Sequence, residues 1–65
     1  MYQVNGRRIR GLIMERGLSA KEFAEAAGLR PQTVRRILRG YGANLKTIAA
    51  IANFFDIDGN ELIID

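Results

Sequence analysis

Hydrophobic and polar positions along this chain repeat with a helical period. Apolar residues recur at steps of three and four in successive runs: Ile9, Leu12, Ile13 with Met14 beside them; Phe23, Ala24, Ala27; Val34, Ile37, Leu38; and Leu45, Ile48, Ala49, Ile51, Ala52, Phe55. Recognisable ends bound each run. Asn5 is placed to cap a first helix that runs to about Arg16, and Gly17 stops it. Ser19 and Glu22 form an S-x-x-E capping box for a second, which Gly28 ends, with Leu29 plugging the space before the third. Pro31 suits the first turn of that third helix, where a missing N–H costs nothing, and leaves Arg30 as a poor cap. Gly40 and Gly42 break the chain, Asn44 caps the fourth helix, and Asp58 caps a last helical turn from Gly59 to Leu62. The pattern predicts an all-α fold: one compact bundle of about five short helices in a single domain over residues 1–65, without linker or repeat. The ends add one detail. Tyr2 to Val4 alternates like an edge strand and is matched by Leu62 to Ile64, so a short terminal strand pair is expected.

The stretch from residue 19 to 39 carries the chemistry. It reads as two short amphipathic helices joined by a tight turn, a helix-turn-helix. On a helix advancing about 100° per residue, Gln32, Arg35, Arg36 and Arg39 fall on one side and Val34, Ile37 and Leu38 on the other. A short helix with an aliphatic backing and guanidinium and amide groups opposite suits the major groove of DNA. Arginine reads the O6/N7 edge of guanine and glutamine the N6/N7 edge of adenine.

Composition narrows the alternatives. The chain has neither cysteine nor histidine, so disulfides and the usual zinc sites are excluded. No apolar run is long enough to span a membrane, and the arginines of MYQVNGRRIR argue against a signal peptide; a cytoplasmic location is expected. The net charge of +3 hides a segregation. Between Gly28 and Lys46 lie Arg30, Arg35, Arg36, Arg39 and Lys46 with no acid; between Thr47 and Asp65 lie Asp56, Asp58, Glu61 and Asp65 with no base. A molecule polarised in this way orients itself in the field of a polyanion. Arg7, Arg8 and Arg10 on the first helix are read as a solvated face. Ser19 is occupied as a cap and the acids sit at surface helix starts, so no enzyme chemistry, cofactor, metal or small-molecule ligand is expected.

The strings RIRGLIMERGLS, EFAEAAGL, TVRRILRG and LKTIAAIANFFDI resemble the Cro/CI-type (lambda repressor-like) helix-turn-helix family over nearly the whole chain, from about Arg7 to Leu62. The resemblance implies that the third helix is the recognition helix, with bases read from its first turn and the turn after. Aligned on Gly28 and Gly40, those positions are Pro31, Gln32, Arg35 and Arg36, of which Gln32, Arg35 and Arg36 carry groups able to contact bases. Phosphates are implied at Lys21, Arg30, Arg39, Gly40, Tyr41, Asn44 and Lys46.

The chain departs from the family pattern in three places. The second helix opens with Ala20 where a phosphate-contacting glutamine is frequent, leaving Lys21 as the substitute. Pro31, at the first recognition position, offers neither donor nor acceptor. An arginine and a glutamate that often form an internal ion pair are replaced together by Ile13 and Leu38, which are expected to pack on each other. The function expected is a sequence-specific double-stranded DNA-binding transcriptional regulator, a repressor that occupies an operator. The competing expectation is a protein-interaction module, such as an antitoxin or adaptor, using an apolar C-terminal surface. That surface is Phe54, Ile57 and Ile63. A homodimer is expected through Phe54, Ile57 and the run Leu62, Ile63, Ile64, which is more apolar than an exposed tail should be. One short domain reaches one half-site, and the fourth helix cannot bury both Phe54 and Phe55 on one stripe.

Overall fold

The computed structural model describes residues 1–64. It contains α1 (Gly6–Glu15), α2 (Ala20–Ala27), α3 (Pro31–Leu38) and α4 (Leu45–Phe55), followed by a short 3-10 helix, Gly59–Leu62. The all-α bundle is as expected, with the last helical turn wound more tightly than an α-helix.

Local signals set the helix starts. Asn5 Oδ1 accepts from the Arg8 N–H at 3.0 Å, Asn44 Oδ1 from the Thr47 N–H at 2.9 Å, and Asp58 Oδ1 from the Asn60 N–H at 2.9 Å. At α2 the capping box is reciprocal: the Glu22 N–H donates to Ser19 Oγ at 3.0 Å, and the Ser19 N–H donates to Glu22 Oε1 at 2.9 Å. The backbone donor at Ser19, then its hydroxyl, hold the Glu22 carboxyl below its ordinary value of 4.5. Arg30, by contrast, caps α3 with backbone geometry alone.

The helix ends follow one device. After α1, α2, α3 and α4 a residue in the left-handed region reverses the chain: Gly17 (φ 67°), Gly28 (φ 74°), Gly40 (φ 96°) and Asp56 (φ 55°). The next N–H then reaches back to a carbonyl in the last turn, from Leu18 to Ile13 O, Leu29 to Ala24 O, Tyr41 to Arg36 O and Ile57 to Ala52 O.

The core joins every helix and both ends of the chain. Val4, Ile9, Phe23, Val34, Ile37, Ile51 and Leu62 are fully enclosed, and no polar or charged residue is buried among the described residues. Burying each such side chain contributes roughly 1.5–3 kcal/mol, so Val34 and Ile37 anchor α3 firmly on α2 and α1. Phe23 stacks on Phe55 at 5.3 Å and meets Phe54 edge-on at 5.2 Å. The Arg16 guanidinium lies over Phe54 and Phe55, 5.6 and 5.3 Å from their ring centres.

Several expectations are corrected here. Met14 and Leu45 point to solvent and Ala49 is exposed, so the inward faces of α1 and α4 are narrower than the apolar positions implied. Leu38 is only half-buried against the core, whereas Ile13 is buried. The terminal strand pair is reduced to isolated bridges, Val4 with Ile63 and Tyr2 with Ala43, both antiparallel. The N-terminal segment is therefore not an edge. Its Tyr2 backbone exchanges hydrogen bonds with Ala43 (2.8 and 2.9 Å), while Asn5 N–H to Leu62 O (2.7 Å) and Ile64 N–H to Gln3 O (2.9 Å) tie its other side to the C-terminal segment.

Close backbone approach sets the tilt of α1 against α3. A Cβ on Gly6 would stand 2.7 Å from the Ile37 carbonyl oxygen and 3.2 Å from that of Leu38. The start of α1 therefore rests directly on the last turn of α3, and only glycine permits it.

Candidate nucleic-acid interface

The exposed side of α3 is the one the periodicity predicts. Gln32, Arg35, Arg36 and Arg39 are exposed, while Val34 and Ile37 are buried on the opposite side. Pro31 and Thr33 are half-buried between them. No carboxylate neutralises these arginines among the described residues, where the one ion pair joins Arg8 to Glu61 at 3.8 Å. Arg35 and Arg36 in the last turn also complement the negative end of the helix dipole. That local role does not account for Gln32 or for Arg39 just beyond the helix.

Around this face the structure exposes the other cationic and polar residues singled out in the sequence. Lys21 is exposed in the first turn of α2, and Arg30 immediately before α3. Asn44 and Lys46 are exposed at the start of α4. Asn44 spends its Oδ1 on the Thr47 N–H, which leaves its NH2 as the group able to donate outward. Between the exposed face of α3 and the start of α4 lies an open cleft of about 240 Å³, bordered by Thr33, Arg36, Asn44 and Thr47. Thr33 and Thr47 escaped the sequence reading, although Thr33, one turn before Arg36, was open to it by spacing alone.

Tyr41 is placed differently from a free loop residue. Its ring is about half exposed, and the Arg36 guanidinium lies over it, 5.3 Å from the ring centre. The residue contacts a side chain of α3 within the molecule.

A helix-turn-helix family model matches residues 7–62, which takes in all four helices and the 3-10 turn. The chain belongs to the Cro/CI-type helix-turn-helix family. Membership makes α2 and α3 the helix-turn-helix unit and assigns the chain to DNA-binding regulators. No curated protein matches the chain. No helix among the described residues is long and apolar enough to cross a membrane.

The C-terminal surface differs from the one expected. Leu62 is fully buried and cannot contribute to a contact between molecules. Phe54 is half-buried, in contact with Phe23 and Phe55 and overlaid by Arg16, while Phe55 is buried, so the fourth helix fully buries only one of the two, as expected. Ile57 and Ile63 are half-buried, and Ile64 is exposed.

Proposed function

We propose that this protein is a sequence-specific double-stranded DNA-binding transcriptional regulator that acts as a repressor by occupying an operator with α3 in the major groove. The observation that carries the reading is the outward face of α3, where Gln32, Arg35, Arg36 and Arg39 stand together without a carboxylate partner among the described residues while Val34 and Ile37 fix the helix from behind. Gln32 and Arg36 read base edges, with Arg35 in support. Lys21, Arg30, Arg39, Asn44 and Lys46 hold the flanking phosphates and set the register. At the start of α4, free backbone N–H groups and the positive end of the helix dipole reinforce Lys46. A second copy, paired through Ile57, Ile63 and Ile64, supplies the other half-site, and the protein works in the cytoplasm with its DNA. The reading as a protein-interaction module through Phe54, Ile57 and Ile63 is less favoured, because all three are half-buried and Phe54 packs on Phe23 and Phe55.

A gel-shift titration on random-sequence duplex at two salt concentrations tests this reading. Binding should weaken steeply with salt, and Lys46→Ala should weaken all duplexes alike and lower the salt slope by about one unit. Absence of binding at low salt would refute the DNA reading. An unchanged slope would remove Lys46 from the interface while leaving the rest intact.

A further inference from the structure

The turn after α3 does more than end the helix. Gly40 adopts φ 96°, its N–H donates to Ile37 O at 3.0 Å, and the Tyr41 N–H donates to Arg36 O at 3.0 Å. Arg36 is thus tied to Tyr41 twice: its carbonyl accepts from the Tyr41 backbone, and its guanidinium covers the Tyr41 ring. The support behind the ring is stiff. Gln3 Nε2 donates to Gly40 O at 3.2 Å; Ala43, two residues after Tyr41, is bridged to Tyr2; and a Cβ on Gly42 would stand 2.8 Å from the Tyr2 carbonyl oxygen. An aromatic ring that remains 55% exposed on such a support gains little from the core.

The chemistry of the stack is selective in what it uses. A guanidinium over a ring is attracted through its flat face, and its N–H groups lie in its plane. A guanidinium that turns its face to the ring can therefore direct its in-plane donors to a base, and the contact removes torsional freedom from a long side chain. We propose that Tyr41 is a positioning residue for Arg36: its ring holds the guanidinium ready for base readout, so that sequence preference depends on the ring and not on the phenol hydroxyl. The proposal rests on Arg36 being a base contact, and it moves Tyr41 out of the set of phosphate ligands that the family resemblance implies.

The test compares the parent, Arg36→Ala, Tyr41→Leu, Tyr41→Phe and the Arg36→Ala/Tyr41→Leu double variant. Each is titrated on the duplex best enriched by the parent from a random pool and on its single-base variants, with thermal melts to confirm folding. Tyr41→Leu should reduce preference at the base pair read by Arg36, and at no other, by about two- to fivefold, the range for an exposed cation–π contact. Tyr41→Phe should keep the parent's preference, and the double variant should discriminate no worse than Arg36→Ala alone. If Tyr41→Phe and Tyr41→Leu weaken every duplex alike, the hydroxyl holds a phosphate and the proposal is overturned. If Arg36→Ala relaxes one base pair while Tyr41→Leu changes none, positioning fails and the base-contact reading stands. If Arg36→Ala itself relaxes no base pair, both fail together.

Discussion

At the scale of single residues, the paired replacement of a family ion pair is the most informative feature. Ile13 is buried and Leu38 half-buried against the core, at the positions where the family resemblance implies an arginine and a glutamate. Apolar residues at both positions avoid the desolvation of two charges, and a lone carboxylate would not. Leu38→Glu should therefore lower stability by about 1–3 kcal/mol, read as a shift of the urea midpoint with unchanged slope. Adding Ile13→Arg should recover part of that loss. A Leu38→Glu protein as stable as the parent would show that this side of α3 does not need to be apolar. The identities of Ile13 and Leu38 as inward-leaning residues were legible from spacing. The degree of burial was not, because it depends on how α1 lies across α3, which no local pattern encodes.

Among the elements, the starts and stops of the helices were the most legible features, since each depends on residues within about four positions. Asn5, Ser19 with Glu22, Asn44 and Asp58 cap as their spacing implies, and Gly17, Gly28 and Gly40 reverse the chain. Asp56, a fourth left-handed stop, gave no such signal, because aspartate is a frequent residue in ordinary turns. Contacts between elements were hidden for a different reason. Gly6 reads as an unremarkable first-turn residue until the Ile37 carbonyl is found against it, and Leu45 reads as apolar helix face until its exposure is seen. The same substitution should thus act in opposite directions on one helix. Gly11→Ala, whose new methyl group would meet nothing within 4 Å beyond its own helix backbone and chain neighbours, should stabilise by up to about 1 kcal/mol through helix propensity. Gly6→Ala should destabilise by about 1–3 kcal/mol, because the obstacle is backbone and cannot turn aside. Thermal melts of the two variants decide the matter; a stabilised Gly6→Ala protein would contradict the close packing of α1 on α3.

For the whole molecule, size and charge frame the function. The body measures 28 × 22 × 19 Å, shorter than the ~34 Å of one turn of B-DNA, which fits the proposal that one copy covers a half-site and two copies a two-fold operator. The exposed face of α3, where the site is proposed, was legible because amphipathic periodicity places exposed side chains well. The exposure of the apolar C-terminal run was read less well, since it depends on whether the core has room for it, and the core takes Leu62. What remains for pairing is Ile64 at the surface with Ile57 and Ile63 beside it. Sedimentation across a wide concentration range should show reversible dimerisation of the parent and a shift toward monomer in Ile64→Asp, whose exposed position spares the fold. A parent that stays monomeric at high concentration would limit pairing to assembly on DNA.

The central claim is that α3 reads sequence through Arg36 and Gln32, and selection from a random duplex pool tests it most directly. The parent should enrich a defined motif containing a guanine that Arg36→Ala no longer requires, with a loss of about 1–3 kcal/mol in discrimination at that single base pair. Enrichment of the same motif by Arg36→Ala, with uniformly weaker binding, or no motif from the parent at all, would contradict the account.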